Sequence, residues 1–89
     1  MEFWNNTYKF TGETVVNDTP YNSPSINVNF FTIYEQGQKA TLEISVREDG
    51  ALQPNWLCVA VDCTPESDIS SDFENWLTAE IGAWTKVPN

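Results

Sequence analysis

Apolar and polar residues alternate most regularly between Ala40 and Glu48. The apolar members of this alternation are Ala40, Leu42, Ile44 and Val46. The pattern predicts a strand with one face on the core and one face in water. A second strand is predicted over Ile26–Tyr34, where the alternation slips by one residue at Phe30 and Phe31. Such a slip indicates a β-bulge, or a strand end that is buried on both faces.

Three further segments have strand character. Phe3–Phe10 places Trp4, Tyr8 and Phe10 on one face, and Thr14–Val16 could form a short returning strand. Trp56–Cys63 is apolar at both odd and even positions as far as Asp62. This pattern predicts a central strand, covered either on both faces or on one face plus a partner. Residues 17–25 contain two prolines and are turn formers almost throughout, so they are predicted to form a loop.

The last apolar pattern has helical spacing. Its residues recur three or four positions apart and are Ile69, Phe73, Trp76, Leu77, Ile81 and Trp84. They predict an amphipathic helix over about residues 65–85, with Pro65 in its first turn. The chain of 89 residues is expected to form a single domain over residues 1–89. The predicted fold is α+β: a four- to five-stranded antiparallel meander with the C-terminal helix packed on one face.

The charge of the chain is strongly negative, with thirteen acidic and four basic residues giving a formal −9. Residues 48–89 hold eight of the acids and a single lysine, Lys86. Direct nucleic-acid binding is disfavoured because the chain would repel phosphates. The sequence contains no apolar run of about 20 residues and no signal-peptide pattern. We therefore expect a cytoplasmic protein that does not bind a membrane.

Catalytic and metal chemistry is restricted by the absence of histidine. Ser–His and Cys–His catalysis are excluded, and no glycine-rich phosphate loop is present. Cys58 and Cys63 would lie on opposite faces of one strand, so we expect two buried, unpaired thiols and no zinc site. A pair of carboxylates remains a formal possibility for acid–base chemistry. The expectation is a protein that is not an enzyme and holds no metal or cofactor.

The acidic second half predicts a binding surface for a basic protein, such as a nuclease or another nucleic-acid-binding protein. Immunity proteins and DNA-mimic inhibitors encoded by phages use surfaces of this kind. In addition to the carboxylates, Trp56 is a candidate anchor residue for the partner. The predicted partner-binding residues are Glu48, Asp49, Trp56, Asp62, Glu66, Asp68, Asp72 and Glu74.

Two other interpretations fit the same residues. An excess of acid can serve solubility alone, and the acids near the predicted helix start also favour the helix dipole. Alternatively, the chain is a small structural or assembly subunit, of the kind found in viral particles, that forms a homo-oligomer. It would then associate through a sheet edge or through an exposed aromatic face that includes Trp56.

Overall fold

The computed structural model of the chain describes residues 4–32, 39–63 and 69–88. These residues form seven strands and one helix. The strands are β1 (Asn6–Lys9), β2 (Glu13–Val16), β3 (Thr19–Asn22), β4 (Ser25–Phe31), β5 (Lys39–Arg47), β6 (Asn55–Asp62) and β7 (Thr85–Pro88). The helix α1 (Ile69–Glu80) lies between β6 and β7. None of these described elements is a helix long and apolar enough to cross a membrane.

Five strands form one antiparallel sheet in the order β6-β5-β4-β1-β7, and β2 and β3 form a separate hairpin. The predicted α+β fold, an antiparallel sheet with one C-terminal helix, is therefore confirmed. Within the sheet, β4, β5 and β6 follow one another as a meander. The hairpin interrupts the chain between β1 and β4, and β7 pairs with the outer edge of β1 after the helix.

The alternation along β5 places its apolar side chains in the core and its polar side chains on the opposite face. This confirms the predicted strand with one solvated face. The predicted bulge in β4 is also confirmed, because the register with β5 shifts between Val28 and Phe30 and leaves Asn29 as the extra residue. The end of the predicted strand, at Ile33 and Tyr34, lies outside the described residues.

The prediction of a loop over residues 17–25 was wrong, because β3 occupies Thr19–Asn22 and β4 begins at Ser25. The turn between β2 and β3 consists of Asn17 and Asp18, with positive φ angles of 50° and 64°. Two left-handed residues in succession form the tight hairpin turn that matches strand twist. Asparagine and aspartate tolerate this conformation better than most residues. A turn-rich sequence can therefore contain a short strand.

The helix is shorter than its predicted range of about 65–85. Residues 64–68, where its start was predicted, lie outside the described residues, and α1 ends at Glu80. The backbone N–H groups of Ile81 and Gly82 both donate to the Leu77 carbonyl, and Gly82 has a φ of 144°. This left-handed position stops the helix and turns the chain toward β7. Trp84 is therefore not helical, although its ring packs edge-on against Tyr8 with centroids 5.2 Å apart.

The helix and the hairpin both lie on one face of the sheet. The buried residues form one cluster to which the sheet, the hairpin and the helix all contribute. Phe73 on α1 is fully buried and contacts the rings of Trp4, Tyr8 and Trp76. The hairpin packs on the same core through Val16 and Tyr21, whose side chains are buried. The molecule thus has two layers, one of them the five-stranded sheet and the other the hairpin and helix.

The prediction that Trp56–Cys63 forms a central strand was wrong, because β6 is the first strand of the sheet and has a free edge among the described residues. Val59 and Val61 are buried, whereas Trp56, Cys58 and Ala60 face outward and are exposed. Both cysteines are unpaired, as expected. The prediction of two buried thiols was wrong for Cys58, which is exposed, and Cys63 is half-buried.

Candidate functional site

The predicted acidic residues do not form one face. Glu48 and Asp49 follow β5 in the turn to β6, whereas Asp62 lies at the far end of β6. A strand of eight residues spans about 23 Å between its first and last residues, which separates the two groups. Glu66 and Asp68 lie outside the described residues.

Glu48 holds the β5–β6 turn against the hairpin. Its carboxylate accepts a hydrogen bond of 2.7 Å from the backbone N–H of Asn22. The Asp49 N–H donates to the Asn22 carbonyl at 3.0 Å, which completes a two-way contact between turn and hairpin. Both acidic residues are exposed, but the Glu48 carboxylate already has a structural partner.

Asp62 and Asp72 also have local roles. Asp62 pairs with Lys39 across the strand ends, with 3.4 Å between the Lys39 Nζ and a carboxylate oxygen. Asp72, in the first turn of α1, interacts with Cys63. Burial raises the pKa of the Cys63 thiol, and the hydrogen bond with Asp72 and the charges of Asp72 and Asp62 raise this pKa further.

Glu74 is the acidic residue most involved in the fold. Its Oε2 accepts hydrogen bonds from the Tyr8 hydroxyl at 2.9 Å and from the Lys86 Nζ at 3.1 Å. The Tyr8 hydroxyl in turn accepts a bond from the Trp4 indole N–H at 3.3 Å. Burial, with Glu74 as a further cause, raises the pKa of Tyr8 to about 12. Glu74 therefore connects the helix to β1 and β7.

Trp56, the candidate anchor, lies on β6. Its side chain is 63% exposed on the face of the sheet that no described element covers. Phe30 on β4 is equally exposed on that face, which it shares with Cys58. This surface, which we call the open face, is the outward side of the five-stranded sheet.

The two sides of the molecule differ in charge. The open face carries three of the four basic residues, Lys9, Lys39 and Arg47, against two acids, Glu43 and Asp62. Lys86 lies on the other side, where it reaches Glu74. The hairpin, the β5–β6 turn and the helix, which we call the acidic layer, carry seven described acids: Glu13, Asp18, Glu48, Asp49, Asp72, Glu74 and Glu80.

The acidic layer also contains a groove that the sequence analysis missed. Its volume is about 300 Å³, and it lies between the hairpin turn and the end of α1. Val59 of β6 lines it with Val15, Trp76 and Ile81, while Asn17, Asp18 and Glu80 supply the polar groups. Asp18 was assigned to a loop and Glu80 to a helix interior, so their approach could not be inferred without the hairpin.

A second hollow of about 280 Å³ lies on the other side of the hairpin. Tyr21, Glu48 and Asn55 contribute to its lining, and the Asn55 side-chain amide donates to the Tyr21 hydroxyl at 3.0 Å. Because these polar groups already bond to one another or to the backbone, the hollow presents fewer free partners to a ligand.

Within residues 4–32, 39–63 and 69–88, no three histidine, cysteine, aspartate or glutamate side chains are placed to hold a metal ion. The described surface thus offers an acidic layer with an apolar groove and an open face with two exposed aromatic rings. Comparison of the chain with models of known families, with curated proteins and with solved structures gave no match.

Proposed function

We propose that this chain is a non-enzymatic binding protein that docks a basic protein against its acidic layer. The observation that supports this proposal is the separation of charge between the two sides of the molecule. The open face has a slight excess of basic residues, whereas the acidic layer has seven described acids, one of which pairs with Lys86 of β7. A protein with this asymmetry turns its acidic side toward a cationic partner during diffusional encounter.

The partner class that this charge distribution favours is a protein that handles nucleic acids, such as a nuclease. Surfaces that bind phosphates are rich in lysine and arginine, and an acidic protein surface can occupy them. The proposal changes the site assigned from the sequence. Asp62 lies on the open face, where it pairs with Lys39, and the Glu74 carboxylate is bound by Tyr8 within the fold. The acids available to a partner are Glu13, Asp18, Asp49 and Glu80.

The test uses a defined cationic probe, an oligolysine of eight residues, added to ¹⁵N-labelled protein in low salt. We expect amide shifts to concentrate in β2, β3, the β5–β6 turn and α1. Reversing two charges of the acidic layer, with Glu13→Lys and Asp49→Lys together, should weaken binding about three- to tenfold.

The matched control reverses two charges of the open face, with Glu43→Lys and Asp62→Lys, and changes the net charge by the same amount. This variant should bind the probe more tightly than the acidic-layer variant does. Equal losses in the two variants would show that binding follows net charge alone, and the assignment of a binding side would fail. Binding should also weaken steeply between 20 and 150 mM salt, as screening requires.

A second candidate function is self-assembly, and the edge of the sheet favours it. β6 carries no charged residue between Asn55 and Val61, and Trp56 projects from it into solvent. An uncharged edge strand offers unpaired backbone groups to another strand. Two copies could extend their sheets by pairing β6 with β6, which would bring together the exposed parts of both open faces.

Self-assembly is tested by light scattering of the pure protein over a hundredfold range of concentration. The assembly function predicts a dimer or larger species that persists in high salt, and Trp56→Ser should shift the chain to monomer. Leu52→Ser is the control, because Leu52 is 95% exposed in the β5–β6 turn, away from the edge. A monomer at every concentration would count against this function.

A further inference from the structure

We infer that the groove between the hairpin turn and the end of α1 receives an arginine side chain of a partner protein. This inference rests on the proposed function and specifies its point of contact. The groove is small, about 300 Å³, at the lower limit of ligand-binding clefts. A cleft of this size suits one long side chain better than a cofactor.

The polar groups of the groove are negative. Asp18 stands at the hairpin tip, and Glu80 is the last residue of α1. The last turn of α1 contains no basic residue, so the negative end of the helix dipole adds to the charge of Glu80. Neither carboxylate belongs to an ion pair formed by the described residues. Both carboxylates line the same groove, so a cation bound there would face two negative charges.

The remaining lining of the groove is apolar and aromatic. Val15, which is 53% exposed, faces it from the hairpin, and Ile81 and Trp76 line it from the helical side. An arginine places a methylene stem against such a surface and its guanidinium against an aromatic ring. Arginine suits this lining better than lysine, because its planar cation is weakly hydrated and stacks on rings.

A divalent metal fits the groove poorly. Calcium takes six to eight oxygen ligands, whereas most of the groove lining other than its two carboxylates is apolar. Anionic ligands such as phosphates are excluded by the same two charges. The chemistry of the lining therefore selects an organic cation with an apolar stem.

The hairpin fixes the position of one of these two charges. Asp18 has a φ of 64°, and the strands on either side of the turn pair Val15 with Pro20 and Val16 with Thr19. The backbone of a two-residue turn has little freedom, so Asp18 is placed beside the groove before a partner arrives. Such preorganisation lowers the entropic cost of binding.

The experiment is a titration of the full ¹⁵N-labelled chain with N-acetyl-arginine methylamide. We expect saturable shifts of the Trp76 indole N–H and of the Asp18 and Glu80 amides, with a dissociation constant on the order of millimolar. N-acetyl-citrulline methylamide, which has the same shape without the charge, should bind at least about tenfold more weakly. The corresponding lysine derivative should bind less tightly than the arginine derivative.

The test variant is Asp18→Asn with Glu80→Gln, which removes both charges and keeps the shapes. Asparagine also accepts the left-handed conformation, so the turn should persist. We expect this variant to bind the arginine derivative about tenfold more weakly. Glu43→Gln with Asp62→Asn on the open face, the matched control, removes the same number of charges and should bind it as the unmodified chain does. Equal binding by the citrulline derivative, or no loss in the test variant, would overturn the inference.

This outcome can be separated from the proposed function. If oligolysine maps to the acidic layer while the arginine derivative leaves Trp76 unmoved, the function stands and the groove assignment falls. If the arginine derivative fills the groove while oligolysine maps elsewhere, the proposed function falls. Shifts of the groove residues with protein concentration alone would assign the groove to a basic side chain of a second copy, and would overturn the partner named here.

Discussion

At the scale of single residues, Glu74 links three parts of the fold. Its carboxylate on α1 accepts bonds from Tyr8 on β1 and from Lys86 on β7. The Glu74 side chain is 20% exposed, and Tyr8 is fully buried. A carboxylate in such a position cannot turn outward to a partner without leaving a buried hydroxyl donor unpaired.

Removing the Glu74 carboxylate should therefore destabilise the protein. Glu74→Ala leaves the Tyr8 hydroxyl without its acceptor, so we expect the free energy of unfolding to fall by about 1–3 kcal/mol. Urea denaturation followed by tryptophan fluorescence measures this change. Glu80→Ala on the same helix is the control, and it should change stability by less than about 0.5 kcal/mol. Similar losses in both variants would contradict the assigned role of Glu74.

The pKa of Tyr8 makes a prediction about alkaline pH. Its pKa is raised from 10.0 to about 12 in the folded state, so the unfolded chain loses this proton first. Stability should be unaffected by Tyr8 below pH 10 and should fall as the pH rises from about 10 toward 12. The difference in unfolding free energy between the unmodified chain and Tyr8→Phe, measured from pH 8 to 11.5, isolates this effect. A constant difference across that range would refute it.

At the scale of elements, Gly82 determines where the helix ends. Its φ of 144° is strained for any residue with a Cβ, although no atom lies within 4 Å of the position that a Cβ would take. The cost of Gly82→Ala is therefore one of backbone conformation alone. We expect a loss of about 1 kcal/mol, because alanine rarely adopts this conformation.

The sign of this change tests the helix boundary. If the helix continued to about residue 85, as the apolar spacing predicts, Gly82→Ala would stabilise the protein by about 1 kcal/mol. Thermal unfolding monitored by circular dichroism distinguishes an increase from a decrease in the melting temperature. A higher melting temperature for Gly82→Ala would contradict the helix end described here.

The elements that could be predicted are those with a long, regular pattern. β5 alternates over nine residues, and α1 has buried positions three and four residues apart, so local pattern and packing agree. The pattern indicated a short strand at Thr14–Val16, which lies within β2, but it did not indicate β3 or β7, which have only four residues each. Such short strands carry too few alternations to be distinguished from turns.

The groove could not be predicted for the same reason. It depends on Asp18 and Glu80, which line one groove because the hairpin turn and the end of α1 lie side by side. Trp56 was a candidate anchor on the condition that the helix covers the other face of the sheet, and its side chain is 63% exposed. The charges were misjudged because a sequence shows the number of acids but not their hydrogen-bond partners.

At the scale of the whole molecule, the sheet depends on the strand that follows the helix. β7 pairs with β1 over four residue pairs, and its Lys86 also contacts Glu74 on the helix. A chain that stops after Trp84 should therefore lose a sheet neighbour and an ion pair together. For a domain whose total stability is on the order of 5 kcal/mol, we expect this truncation to abolish cooperative unfolding.

Thermal unfolding and the dispersion of amide signals measure the effect of that truncation. Lys86→Ala in the full chain is the control, because it removes the exposed ion pair and keeps the strand. This single substitution should cost no more than about 1 kcal/mol. A truncated chain that retains dispersed signals and an unchanged melting temperature would show that the four-stranded remainder folds without β7.

The pairing of β1 with β7 also determines how the molecule responds to force. Asn6 lies opposite Pro88, and Lys9 lies opposite Thr85, so the first residue of one strand is beside the last residue of the other. Tension applied through residues 6 and 88 pulls the two strands apart from one end, and it loads their hydrogen bonds one after another instead of all together. Under tension, the β1–β7 pairing therefore separates one residue pair at a time, beginning with Asn6 and Pro88.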